Sequence, residues 1–176
     1  SYQITTEDAL RNAVRIMKET GVDALKLEGG AEISDSIRKM VTAGIPVCGH
    51  LGLTPQSIHK FGGYGVRAKE EAEAIKLILD AKVLAEAGCF AIVVEKIPAD
   101  LTQKVAEAVS VPIIGIGAGS ADGQVLVVDD MLGKNEGFRP KFLRVYANIA
   151  QVMTDAIGQY VTDVKSGDFP NEQERY

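Results

Sequence analysis

The sequence predicts an α/β protein in which a parallel sheet is covered by helices. Three observations carry that reading. Short apolar runs of strand length alternate with segments of helical period, the pattern of a parallel sheet. Glycines stand inside several of those runs, which suits a tightly curved barrel or the close approach of a ligand. Two helix–strand units also recur. Glu19-x-Gly21-x-x-Ala24-x-x-x-Glu28 has the spacing of Glu86-x-Gly88-x-x-Ala91-x-x-x-Glu95. Ile45-Pro46-Val47-x-Gly49 echoes Val111-Pro112-Ile113-x-Gly115 at nearly the same offset. Five strands are expected. A (β/α)8 barrel uses eight strands and typically ~250 residues. Periodicity alone therefore leaves two architectures open: part of such a barrel, or an open, doubly wound five-stranded sheet.

The elements follow in order. Leu10, Ala13, Val14 and Met17 recur at helical spacing, Thr5 with Asp8 resembles a capping box, and Gly21 stops the helix. Ala24–Glu28 reads as a strand closed by Gly29-Gly30, and a helix from about Ala31 to Ala43 leads into the strand Pro46–Leu51. A loop with Thr54-Pro55-Gln56 and Phe61-Gly62-Gly63-Tyr64 precedes a long helix from about Ala68 to Gly88, with Ile75, Ile78 and Leu79 as its expected buried stripe. The strand Ala91–Glu95, a helix from about Ala99 to Val109, the strand Pro112–Ile116 and a strand over Val125–Val128 come next. A last helix from about Pro140 to Val164 carries Phe142, Val145, Tyr146, Ile149, Met153 and Ile157. Residues 1–176 are expected to form a single domain, with 166–176 a loose tail.

Composition narrows the function classes. With 46% hydrophobic and 24% charged residues in 176, the chain has the balance of a globular protein, not a disordered one. A net charge of −5, with Lys and Arg scattered, leaves no basic footprint for nucleic acid. No apolar stretch approaches the ~18 residues of a membrane span, and the polar, acidic Ser1–Asp8 is not expected to act as a signal peptide. A cytoplasmic protein with no membrane partner is expected. Cys48 and Cys89 stand in apolar surroundings and read as reduced core residues.

Parallel βα folds bind ligands beyond the carboxyl ends of their strands. Lys26 and Glu28 on the first strand, His50 on the second and Glu95 on the third fall there. Residues two apart on a strand share a face, so Lys26 and Glu28 point together. A Lys26–Glu28 or Lys26–Glu95 ion pair that merely closes the barrel top is one reading of these charges, and an active site is the other. Gly115-x-Gly117-x-Gly119 is superficially like a dinucleotide fingerprint but lacks the helix that motif requires, since Asp122-Gly123-Gln124 turns into another strand.

Several segments together resemble the ketopantoate hydroxymethyltransferase family. They are Lys26–Gly30, Cys48–Ser57, Phe61–Tyr64, Glu95 with Ile97-Pro98, and Ile114–Gly119 before Asp122-Gly123-Gln124. The likeness runs from residue 1 to about 170 in order. It implies an α/β fold of the (β/α)8 TIM-barrel type, of which this chain supplies about five βα units. It also implies an enzyme that transfers the one-carbon unit of 5,10-methylenetetrahydrofolate to the keto acid 2-oxoisovalerate, giving 2-dehydropantoate in pantothenate and coenzyme A biosynthesis. By motif position, Glu95 would be the general base, His50 would orient substrate or base, Lys26 would contact substrate, and Glu28 would belong to a Mg²⁺ site. The resemblance further implies a homo-oligomer, and a complementary N-terminal segment whose two aspartates bind Mg²⁺ and keto acid. The chain alone is therefore expected to bind both weakly and not to turn over. Gly65-Val66-Arg67, Lys96, Ser120-Ala121 and Glu172–Arg175 depart from the family pattern. The alternatives are another Mg²⁺-dependent barrel lyase or aldolase, and a non-catalytic structural module.

Overall fold

The computed structural model describes residues 2–137 and 139–176. The chain divides into two compact units, Ser1–Val125 and Leu126–Tyr176. In the first unit five strands form one sheet: β1 (Leu25–Glu28), β2 (Val47–Gly52), β3 (Ala91–Glu95), β4 (Ile113–Ile116) and β5 (Gly123–Gln124). Every neighbouring pair is parallel, and the order in space is the order in sequence. Right-handed crossovers that always step the same way place all the helices on one face. A doubly wound sheet needs a reversal of strand order, so this winding is that of a barrel segment.

The helices of this unit are α1 (Thr6–Thr20), α2 (Ser34–Thr42), the short α3 (Ile58–Phe61), α4 (Glu71–Glu86) and α5 (Ala99–Ala108). The start of α1 is the anticipated cap: Asp8 N–H donates to Thr5 Oγ1 at 3.1 Å, and Gly21 closes the helix at φ +68°. Strand alternation decides which face is covered. Leu27, Val47, Leu51, Ile92, Val94 and Ile113 are buried with Ile37 and Met40 of α2, Leu84 of α4, and Val105 of α5. Gly49 lies so close to α4 that an added Cβ would stand 2.9 Å from Leu84 Cδ1. Lys26, Glu28, Cys48, His50, Val93 and Glu95 alternate with these residues and share the opposite face.

Three elements differ from their sequence reading. On α4 the buried stripe is Leu77, Asp80, Ala81 and Leu84, whereas Ile75 and Leu79 are 53% and 55% exposed. Asp80 can join the core because its Oδ1 accepts the Ala31 N–H at 3.1 Å and Lys76 pairs with its other oxygen. The strand placed over Val125–Val128 is observed two residues earlier, at Gly123–Gln124. Val125 N–H still donates to Gly115 O at 3.0 Å, and α6 (Val128–Met131) begins soon after. A short apolar run does not itself distinguish strand from helix. Asp129 and Asp130 in the first turn of α6 favour the helix.

In the second unit, α7 covers Ile149–Ser166 instead of starting near Pro140. Tyr146 N–H donates to Met131 O at 2.7 Å and Ile149 N–H to Leu132 O at 3.1 Å. These bonds tie the backbone before the helix to the end of α6. Asn148 then caps the helix, so Phe142, Val145 and Tyr146 lie outside it. No residue of α7 is buried. Beyond Gly167 the Phe169 ring packs edge-on against Tyr160, with centroids 5.6 Å apart. Among the described residues, no helix is long and apolar enough to cross a membrane.

Candidate active site

Strand register brings the four candidate side chains together. Glu28 lies beside His50 across the β1–β2 pair, and Glu95 lies beside Gly52 across β2–β3. His50 is the hub. Its ring is 3% exposed, with Lys26 Nζ 3.2 Å from Nδ1 and Glu95 Oε2 3.3 Å from Nε2. Glu28 Oε1 is 3.4 Å from Lys26 Nζ and 3.7 Å from His50 Nδ1. An ammonium group can only donate, so Nδ1 accepts from Lys26 and the neutral ring carries its proton on Nε2, toward Glu95. That proton is not aligned on Glu95 Oε2, and buried Nε2 has no hydrogen-bond partner here. An unsatisfied buried donor costs about 1–3 kcal/mol.

The backbone around Glu95 is held from three sides. Its carbonyl accepts the Leu53 N–H at 2.8 Å, and the Lys96 N–H donates to Ile116 O at 2.9 Å. Gly52 has φ +85°, and a Cβ there would stand 2.4 Å from that Glu95 carbonyl oxygen. Lys96, which follows the candidate base, adopts a left-handed φ of +47°. Its carbonyl accepts the Arg67 N–H at 2.8 Å, and its ammonium donates to Tyr64 O. The departures at Lys96 and Gly65–Arg67 thus sit in one loop clamp next to Glu95.

Glu28 is fixed differently. Its Oε2 accepts the Gln56 N–H at 2.9 Å, and its own backbone meets the Tyr2 hydroxyl. Neither Tyr2 nor Gln56 was singled out from sequence as a site residue. Nothing in the spacing of residues 54 apart announces their contact. A cavity of about 610 Å³ lies above β1 and β2 and is lined by Tyr2, Gly30, Gln56, Phe61, Arg67 and Asp80, among others. Glu28 reaches it, but Lys26, His50 and Glu95 do not line it.

Both cysteines are free, as anticipated. Cys48 shares the site face below His50, and burial raises its thiol pKa. Burial, with the neighbouring Cys48, pushes the Cys89 thiol up to about 12. Neither is an activated nucleophile. Among the described residues, no three His, Cys, Asp or Glu side chains gather to hold a metal. Of the candidate carboxylates Glu28 and Glu95, only Glu28 reaches the cavity, where a divalent ion would need further ligands. That fits Mg²⁺, which usually takes one or two protein carboxylates and completes its shell with substrate oxygens and water.

Chemically, the arrangement offers a cation (Lys26), a carboxylate base (Glu95) and an imidazole that lies between them. It suits proton abstraction beside a carbonyl, with the resulting negative charge held nearby.

The family model described as Ketopantoate hydroxymethyltransferase matches residues 1–172. The 3-methyl-2-oxobutanoate hydroxymethyltransferase of Flavobacterium johnsoniae is 65% identical over all of this chain, which covers 65% of that relative. Those of Bacteroides thetaiotaomicron and Parabacteroides distasonis are 63% and 60% identical with the same coverage. The chain thus spans somewhat less than two thirds of the length of these curated relatives.

Proposed function

The chain belongs to the ketopantoate hydroxymethyltransferase family, and from that membership we propose that the whole protein transfers a hydroxymethyl group from 5,10-methylenetetrahydrofolate to 2-oxoisovalerate. The product is 2-dehydropantoate, on the route to pantothenate and coenzyme A. The observation that supports this reading best is the convergence of Lys26, Glu28, His50 and Glu95 on one face of the sheet at the carboxyl ends of three adjacent strands.

The chemistry follows from the side chains. The proton on carbon 3 of a 2-keto acid is weakly acidic, and its removal places negative charge on the carbonyl oxygen. The Glu95 carboxylate takes that proton. The carbon–hydrogen electron pair becomes the enolate. Water supplies the oxygen of the one-carbon unit as the donor's two carbon–nitrogen bonds break and tetrahydrofolate leaves. The enolate carbon bonds to that carbon, while the unit's new oxygen takes the proton held by Glu95. The Lys26 ammonium lies near the substrate's anionic oxygens and steadies them. His50, with Nδ1 facing Lys26 and Nε2–H facing Glu95, keeps cation and base at a fixed separation. Glu28 would hold Mg²⁺ from this chain's side, with further ligands from the part of the protein outside this chain; when bound, the ion draws electron density from the keto oxygen. A cytoplasmic homo-oligomer, completed by a segment N-terminal to these residues, is the setting this reading implies.

Assay of the protein in its full natural length, with Mg²⁺ and keto acid, tests the proposal. Product that appears with 5,10-methylenetetrahydrofolate and not without it is expected. Keto-acid cleavage or product formation indifferent to the folate would instead mark another lyase or aldolase and contradict the assignment.

A further inference from the structure

Among the described residues, two that are not glycine adopt a left-handed φ: Lys96 at +47° and Ala68 at +54°. They are far apart in sequence and meet at one contact. The Lys96 carbonyl accepts the N–H of Arg67, the residue before Ala68, at 2.8 Å. Such a conformation is costly for any side chain other than glycine and persists where the surroundings over-determine it. Those of Lys96 do. Strand β3 has both its neighbours, β2 and β4, within this chain. The Lys96 N–H donates to Ile116 O of β4 at 2.9 Å, and the Glu95 carbonyl accepts the Leu53 N–H, just beyond β2, at 2.8 Å. The peptide between Glu95 and Lys96 is thus held from both sides. The turn at Lys96 then delivers Ile97, 3% exposed, into the core and leads on to α5. The Arg67 side of the contact is anchored separately, by Glu73 in the first turn of α4. One Glu73 oxygen accepts the Ala68 N–H at 2.8 Å, and the other pairs with the Arg67 guanidinium, which lies 4.2 Å from the centre of the Phe61 ring. The Lys96 ammonium, which donates to Tyr64 O, is a second and separable link to the same loop.

We propose that Lys96 is a positioning residue for Glu95 and acts through its backbone: the left-handed turn, closed by the Arg67 N–H, fixes the last residue of β3 and so aims its carboxylate. The consequence for the reaction rests on the reading of Glu95 as the base. A base that must meet a carbon-bound proton tolerates little misplacement, since a shift of about 1 Å can cost ~10²-fold in rate.

The test is a pair of substitutions in the full-length protein, Lys96→Val and Lys96→Asn. The readout is exchange of the carbon-3 proton of 2-oxoisovalerate for deuterium, at saturating keto acid with Mg²⁺ present. Both variants lose the ammonium, but asparagine accepts a left-handed backbone and β-branched valine does not. Lys96→Val should exchange about tenfold or more slowly, with its keto-acid dissociation constant within about threefold of wild type. Lys96→Asn should stay within about threefold of wild type in both quantities. Exchange at the wild-type rate in Lys96→Val, even with a lowered melting temperature, would overturn the proposal by leaving the turn a purely structural role. Equal slowing in the two variants would overturn it as well, by assigning the effect to the ammonium. Glu95→Gln separates the two layers. If it exchanges like wild type, the reading of Glu95 fails. If it is slowed and Lys96→Val is not, the positioning role alone fails. Should Lys96→Val not fold, Glu73→Ala at the start of α4 releases Arg67 and Ala68 from the other side of the contact. A severalfold slower exchange then supports the proposal, and an unchanged rate overturns it.

Discussion

His50 illustrates how little of a site's working is carried by residue type alone. Its place between two glycines is visible in the sequence, as is the two-residue spacing that points Lys26 and Glu28 the same way. The placement of the ring between Lys26 and Glu95 depends on the register of β1, β2 and β3, which is not written in any one segment. Tyr2 and Gln56 were less legible still, because their contacts with Glu28 join segments far apart in the sequence. The cysteines give a prediction at this scale. The unfolded Cys89 thiol releases its proton from about pH 8.5–9, whereas the folded one keeps its proton to about 12. Between those values the unfolded chain binds fewer protons than the folded one, so stability falls as pH rises, by at most ~1.4 kcal/mol per unit from this group. Urea unfolding at pH 8 and pH 10 should show a steeper alkaline loss for the wild type than for Cys89→Ala. Equal slopes would contradict the buried-thiol assignment.

At the scale of elements, glycine geometry carries more of the account than hydropathy does. Gly52 joins a φ of +85° to a close approach on the Glu95 carbonyl. Gly52→Ala should therefore cost at least about 2 kcal/mol of stability, from backbone strain and overpacking together. It should also lower activity, by displacing the backbone that carries the base. Chemical denaturation and steady-state rates check both, and a substitution that changes neither would show that the contact is not constraining. Hydropathy misplaced the covered face of α4, because a helix with several isoleucines and leucines offers more than one apolar stripe. Only the packed fold shows that Leu77, Ala81 and Leu84 face inward and that Asp80 goes with them, supported by Ala31 and Lys76. The caps of α1 were readable because Thr5, Asp8 and Gly21 act within one or two turns of the chain.

For the molecule as a whole, the alternation of strands and helices was legible, and so was the echo between the β1–β2 and β3–β4 units, each placing a Glu at the end of its first strand. The direction of winding was not, since periodicity is the same for a sheet that reverses and one that does not. The sequential order of the strands decides it. The apolar stripe through Ile149, Met153 and Ile157 was visible on α7, but its lack of burial was not, since burial depends on what surrounds the helix. The proposed substrates come from the family relation, and the proposed chemistry from the side chains gathered on the sheet face. In the full-length protein, the exchange of the carbon-3 proton of 2-oxoisovalerate for deuterium, followed by NMR in heavy water, tests that chemistry without the folate step. Glu95→Gln should slow this exchange by ~10²-fold or more while the keto acid still binds. Exchange at the wild-type rate in Glu95→Gln would contradict the assignment of Glu95 as the base.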